Sequence, residues 1–510
     1  MTSEMMLTYQ TRIRLDERQD EILGKYASCL ARVERSLYAE VVKGKATTSC
    51  KNDFLKEYGI TARQFNACRV SLEGKIAACQ ASLEQSLFGL KQQISLLDQQ
   101  IKHLEKNSQK PFALHQKKRR RISLRDRLIA REEDLKQGRI HLCFGGKKLF
   151  HAQFHLEKNG FTSIKEWKKA WDAKRNSEFF ILGSKDETAG NQTCTAKIQG
   201  DGRLTLRLRL PDALVEAYGK YIEIRDLYFA HGQEAILASL NAEDPSALSY
   251  RFKKDDKSWK VFVSTALRSP KPVSKEGHGV IGIDLNADHI AYVETDRYGN
   301  PIGRKKLSWV SYGKTKGQIK AITGEICKTI VERAKETKKP IVIEKLDFQK
   351  KKLALTDMGS RKLARLLSSF SYGLFLSCLL ARAYKEGIEV HRVDPAFTSI
   401  IGRINYARRY GLSIHLAAAL CIARRHQKFS EAPCSHPGPI PDGKGGHVAF
   451  VLPVRNRMKH VWHLWGQVKK KITTVLAAHF RAIKYRSLSP PSSTLETGKT
   501  SDCCWCNSNT

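Results

Sequence analysis

No run of apolar residues in this chain reaches the ~18 needed for a membrane-spanning helix, so no membrane partner is expected. The opening "MTSEMMLTYQTRIRL" lacks a basic start followed by an apolar stretch, so no secretory signal is expected either. Acidic charge is scarce: 51 Asp and Glu stand against 89 Lys and Arg, a formal charge of +38. That imbalance is too large to serve solubility alone, and it points to a polyanionic partner, of which nucleic acid is the usual one. The thirteen cysteines are an odd number and suggest no disulfide framework. They read as reduced thiols of a cytoplasmic protein.

The 510 residues allow two to four domains, each with its own core. Residues 1–14 contain a strand-like alternation, "LTYQTRIR". Residues 15–137 are expected to form a helical lobe. Within it Leu72, Ile76, Cys79, Leu83, Leu87, Leu90, Ile94, Leu97, Ile101 and Leu104 make a heptad-like stripe. This stripe is expected to seal against a return helix, "SLRDRLIAREEDLKQ", of the same chain. Between them "HQKKRRRISLR" carries Lys117, Lys118, Arg119, Arg120 and Arg121, read as a charged turn in contact with phosphates. Residues 138–270 read as a β-domain, barrel-like, to which the first strand belongs. Its "GDGRLTLRLRL" sets leucines on one face and arginines on the other. After a linker, "KPVSKEG", residues 271–427 read as α/β. Residues 428–510 read as a flexible basic extension, Pro- and Gly-rich at first, with a basic helix possible over 454–486.

Three pieces of the α/β segment carry chemistry. "GVIGIDLNADHIAYVETDRYGN" runs an apolar strand into Asp284. An acid embedded in such a strand is costly unless it is paired or metal-bound, although a strand-end aspartate also caps turns. "KPIVIEKLDF" runs a second buried strand into Glu344. Adjacent strands would bring the two acids within metal-bridging distance, as two-metal phosphodiester chemistry requires. "GIEVHRVDPAFTS" is a strand and a turn, and beyond it "YGLSIHLAAAL" opens a helix with a small, apolar face and His415 near its start.

This arrangement resembles the split RuvC nuclease domain of the TnpB family, the transposon-encoded RNA-guided nucleases, and of their descendants, the type V CRISPR effectors. "GIDLN" resembles the first RuvC motif, "IVIEKLDF" the second and "VDPAFTS" the segment leading to the third, in the family's order over residues 279–427. The resemblance implies an RNase H-like RuvC domain, a wedge-type β-barrel and an α-helical recognition lobe. It implies an RNA-guided DNA endonuclease with Asp284 and Glu344 catalytic, Mg²⁺ or Mn²⁺ as cofactor, and guide RNA and target DNA as partners. Arg408 and Arg409, in "IIGRINYARRYGL", join the expected nucleic-acid contacts.

Two departures from the family stand out. "IIGRINYARRYGL" has no cysteine where the family usually carries a Cys-x-x-Cys zinc ribbon, and the tail "CCWC" has no second pair, so no structural zinc is expected. His415 stands where the family's last helix carries an aspartate. It is read as a metal ligand and catalytic residue alongside Asp284 and Glu344. Its alternatives are a retired nuclease that still binds guide and target, a takeover by Asp394, and a neutral core histidine. The retired reading makes the protein a nuclease-inactive RNA-guided DNA-binding protein.

Overall fold

The computed structural model describes residues 5–106, 111–185, 187, 190–241, 246–267, 270–286, 288–311, 313–345, 369–434 and 438–486. The described residues up to Pro270 form one compact unit and those from Lys271 onward a second.

In the first unit β1 (Met5–Arg12) is followed by helices α1 (Glu17–Val42), α2 (Lys51–Tyr58), α3 (Ala62–Lys106) and α4 (Pro111–Lys136). Asp16 and Gln19 form a capping box that starts α1 by satisfying otherwise orphaned N–H groups. Leu90, Ile94 and Leu97 of α3 pack on Leu124 of α4, with Leu128 beside them, so the stripe is sealed within the chain. The basic run is not a turn. It lies inside α4, because residues 115–125 contain neither glycine nor proline to break the helix.

Shorter helices α5 (Lys147–Ala152) and α6 (Ile164–Arg175) lead into strands β2 (Glu178–Ile181), β3 (Cys194–Ile198), β4 (Leu204–Arg209), β5 (Tyr221–Leu227), β6 (Ser249–Lys254) and β7 (Trp259–Leu267). Helices α7 (Asp212–Tyr218) and α8 (Gln233–Asn241) are interleaved with them. β1 pairs antiparallel with β7 along its whole length and completes a four-stranded sheet of order β1-β7-β6-β2. Strands β3, β4 and β5 form a separate three-stranded sheet, so the strand pairing among the described residues closes no ring where a barrel was expected. The alternation of β4 is as its sequence suggests. Leu204, Leu206 and Leu208 are buried, and Arg207 faces out over the ring of Tyr221.

The second unit is built on a five-stranded sheet of order β10-β9-β8-β11-β12, with β8 (Ile281–Leu285), β9 (His289–Thr295), β10 (Pro301–Ser308), β11 (Ile341–Glu344) and β12 (Val390–Val393). β8, β9 and β10 form an antiparallel meander, and β11 runs parallel to both β8 and β12. The connection from β10 to β11 is helix α9 (Lys316–Thr337), which starts on a Thr315–Gln318 capping box. α9 packs with α10 (Ser369–Lys385) over one face of the sheet, around Ile281, Ile283, Ile341, Ile343 and Phe375. After β12 come a helical turn, α11 (Thr398–Ile401), a π-turn over Gly402–Ala407, and α12 (Ile414–His426).

Helix α13 (Val461–Arg486) ends the described chain. It buries Leu464, Trp465, Val468 and Ile472 in one cluster with Ile401, Leu412 and Leu420. This helix therefore packs on the core of the unit, where a flexible extension was expected. The apolar spacing of "VWHLWGQVKKKI" drives the docking. The "CCWC" tail lies outside the described residues. No described helix is long and apolar enough to cross a membrane.

Candidate active site

Asp284 and Glu344 are brought together by the β8–β11 ladder. Ile343 is paired with Ile283 in parallel register, so the next residues, Glu344 and Asp284, stand at one level. Neighbouring strands lie about 4.8 Å apart. Side chains alternate along a strand, so both acids share a face with the residues two positions earlier, Gly282 and Val342. That face is covered by α12.

Gly282 sets the fit. A β-carbon there would stand 2.3 Å from the Ala419 carbonyl oxygen and 2.8 Å from the Ala423 Cβ, so only glycine lets the helix settle this close. A second close approach, Gly402 against the Ala417 carbonyl, packs the π-turn on the same helix. The helix advances about 6.0 Å in four residues and the strand about 6.6 Å in two. One turn toward the helix start from Ala419 is His415, and one pleat onward from Gly282 is Asp284. The two meet accordingly: His415 Nδ1 is 3.4 Å from Asp284 Oδ2. Ser413 caps the helix by accepting the Leu416 N–H, which fixes where it begins.

The Asp284 carboxylate is only 6% exposed, yet among the described residues it has no Lys or Arg partner. The Asn286 side-chain amide donates to it at 2.9 Å. Glu344 accepts a hydrogen bond from the hydroxyl of Thr398, a buried residue at the start of α11. The turn that delivers Thr398 passes through Phe397 at φ 61, a left-handed conformation that is strained for a side chain of this size. It is held from behind by the Arg425 guanidinium, which donates to the carbonyls of Asp394 and Ala396. Asp394 itself is exposed and accepts the Ala396 N–H at 2.7 Å, so it shapes the turn.

His415 is 46% exposed and is not a core residue. It lies edge-to-face on a second imidazole, His289, at 4.7 Å between ring centroids. His289 does not stand out in the sequence because it opens an otherwise apolar strand. It is buried, its Nδ1 is 2.7 Å from Asp288 Oδ1, and its Nε2 has no hydrogen bond. Burial pushes its imidazole below the ordinary value, with His415 adding to the lowering and Asp288 opposing it. The same hydrogen bond holds Asp288 below the usual carboxylate range. Burial, followed by the charges of Asp284 and Asp288, pushes the Tyr372 hydroxyl up.

Two carboxylates and an imidazole make a donor set that suits a divalent cation. The missing cationic partner of Asp284 supports that fit, since a buried carboxylate without compensation is expensive. The three donor groups do not close on one point. Among the described residues, the three-ligand group whose donor atoms all lie within 4.8 Å is Glu276, His391 and His426.

Of the other expected contacts, Arg408 is exposed and lines, with His415, an open groove of about 510 Å³ whose far wall is the Gly443–Gly446 loop. Arg409 is exposed beside it. On α4, Arg119 and Arg120 face solvent. Lys117, Lys118 and Arg121 are instead engaged by Gln100, Glu105 and Asp98 of α3.

No protein-family model and no curated protein matches this chain. Solved structures overlap it weakly. The T. thermophilus RuvC in complex with Holliday junction substrate is 18% identical, covering 29% of this chain and 90% of its own, with a TM-score of 0.22. A further Thermus thermophilus RuvC structure is also 18% identical, covering 29% and 92%, with the same score. A CRISPR-Cas12f ternary complex is 10% identical, covering 82% of this chain and 98% of its own, with a TM-score of 0.21. Scores this low carry no argument.

Proposed function

We propose that the protein is an RNA-guided DNA endonuclease whose site is Asp284, Glu344 and His415. The observation that carries this reading is the placement of two acids at one level of adjacent parallel strands, under a helix that presents His415, with no Lys or Arg to neutralise Asp284 among the described residues. Asp284 and Glu344 would hold the divalent metal, Mg²⁺ or Mn²⁺. When bound, such an ion supplies Lewis-acid stabilisation and an activated water for phosphodiester hydrolysis.

This chain's own residues set the stage. Asn286 and Thr398 each donate to one carboxylate and fix its rotamer. His415 adds an imidazole from the groove side, where Arg408 can meet a phosphate. The charge of +38 favours binding of a polyanion throughout. In this reading base pairing with a guide supplies sequence choice, as the resemblance to the TnpB family implies.

A second reading, an RNA-guided DNA-binding protein without cleavage, is favoured by one observation: the three donor groups are not gathered around a single point. Plasmid cleavage by purified protein, with the RNA that copurifies with it, separates the two. Cleavage that Asp284→Ala and Glu344→Ala each abolish supports the endonuclease. Target retention without cleavage in either metal supports the binding protein, and absence of copurifying RNA after purification at low salt overturns both.

A further inference from the structure

We infer that Glu276, His391 and His426 form a second metal site, for a borderline transition ion such as Zn²⁺, at the far end of α12 from the candidate active site. The donor atoms of the three all lie within 4.8 Å of one another. His426 Nε2 is 2.9 Å from Glu276 Oε1, and His391 Nε2 is 3.8 Å from the same oxygen. The two imidazoles are stacked, 4.4 Å apart at 25°. A tetrahedral ion at 2.0–2.1 Å from each donor spaces the donors about 3.4 Å apart. The two separations from Glu276 bracket that figure, and the imidazoles would have to open from their near-parallel stack to converge on one ion.

The His391 Nε2 supplies an independent observation. Among the described residues it is buried and makes no hydrogen bond. An unsatisfied imidazole nitrogen beside a carboxylate is what a missing cation leaves behind. The carboxylate is also well placed. The backbone before Glu276 is tied down by the Val273 N–H to the Gly387 carbonyl and the Lys275 N–H to the Lys338 carbonyl, both at 2.8 Å. Two imidazoles and one carboxylate favour Zn²⁺, Co²⁺ or Ni²⁺ over Mg²⁺. Glu276 is 63% exposed, which leaves a fourth position open to water.

The site is separate from the first. His415 and His426 are eleven residues apart on one helix, about 16 Å. The ion would join the edge strand β12, the last turn of α12 and the turn that enters this unit, which suits a structural staple. The expectation of no structural zinc weighed only cysteine pairs, and this donor set needs none.

The test uses full-length protein stripped of metal by chelation and titrated with Co²⁺. A nitrogen–oxygen site gives visible ligand-field bands without the near-ultraviolet charge transfer that thiolates produce, so the thirteen cysteines do not confuse it. In the Asp284→Ala, Glu344→Ala protein, which lacks the carboxylates of the candidate active site, one equivalent with that spectrum is expected, together with a rise in Tm. Glu276→Gln, His391→Ala and His426→Ala should each weaken it by at least about tenfold, the lower end of what loss even of an outer partner costs. Glu276→Gln alters an exposed side chain and keeps the test decisive if a histidine variant fails to fold. Asp284→Ala with Glu344→Ala should leave this equivalent in place. Unchanged affinity and spectrum in Glu276→Gln, or loss of the equivalent in the Asp284→Ala, Glu344→Ala protein, would overturn the assignment.

Discussion

Asp284 and Glu294 are two buried carboxylates on neighbouring strands of one sheet, and the protein treats them in opposite ways. Glu294 is 2% exposed and lies level with Ile281, at the end of β8 opposite Asp284. Lys339 approaches one of its oxygens at 2.7 Å and Arg333 the other at 2.9 Å. Asp284 is almost as deep, but among the described residues its polar side-chain neighbours are the Asn286 amide and His415 Nδ1. Among the described residues one acid is surrounded by two cations and the other has none, and a buried charge without such compensation is costly. In the proposed reading the same sheet has one end built for stability and one end built for a ligand.

The sharpest way to break that contrast is to neutralise each acid. Asp284→Asn should lower DNA cleavage by about a thousandfold or more, since several kcal/mol of metal-borne stabilisation goes with the charge. Its stability to urea should be unchanged or slightly raised, because an uncompensated buried charge is removed. Glu294→Gln should do the reverse. It strands the buried Lys339 ammonium, so a loss of about 3–5 kcal/mol is expected, with cleavage per folded molecule retained. Urea unfolding beside a cleavage assay on both variants checks the pair. Equal destabilisation of the two would end the distinction.

His415 sharpens the picture of the ligand end. If it is a donor, His415→Ala should reduce cleavage at least about tenfold. Mn²⁺ should serve the wild type better than Mg²⁺, because manganese tolerates imidazole more readily. His415→Asp should move the preference back toward Mg²⁺. Rates of wild type and both variants in each metal decide this, and full activity in His415→Ala would remove it from the site. A wild type inactive in both metals, with cleavage regained in His415→Asp, would identify a retired nuclease.

Much of this end was legible in the sequence and some was not. Asp284 and Glu344 stand out because each ends an apolar strand on a charge, a local pattern. That they share a level depends on parallel pairing across a long connection, which no local pattern encodes. The meeting of His415 with Asp284 follows from Gly282 seated against Ala419 and Ala423. The glycine and the alanines were visible, but their packing was not. His289 hid in a strand whose apolar character explained it sufficiently. Glu276, His391 and His426 come from three distant stretches with no motif spacing at all. The docking of α13 was readable in its own apolar spacing, but its basic charge and the Pro- and Gly-rich loop before it suggested an extension instead.

The smallest expected effect extends the paired-versus-unpaired contrast to α4. Lys117, Lys118 and Arg121 are turned toward Gln100, Glu105 and Asp98, whereas Arg119 and Arg120 have no ion pair among the described residues. An arginine already facing a carboxylate must give up that partner to meet a phosphate, and a free one need not. Arg119→Gln with Arg120→Gln should therefore weaken RNA binding across sequences and flatten the salt dependence of log K by about two units, one for each phosphate left unneutralised. Arg121→Gln should barely alter that slope. It should instead lower hairpin stability by about 1 kcal/mol or less, the range for a partly exposed pair. Binding of the copurified RNA between about 50 and 200 mM salt, with urea unfolding alongside, checks both halves. If Arg121→Gln flattens the slope as much as the double change does, the pairing seen on α4 does not govern which of its charges reach nucleic acid.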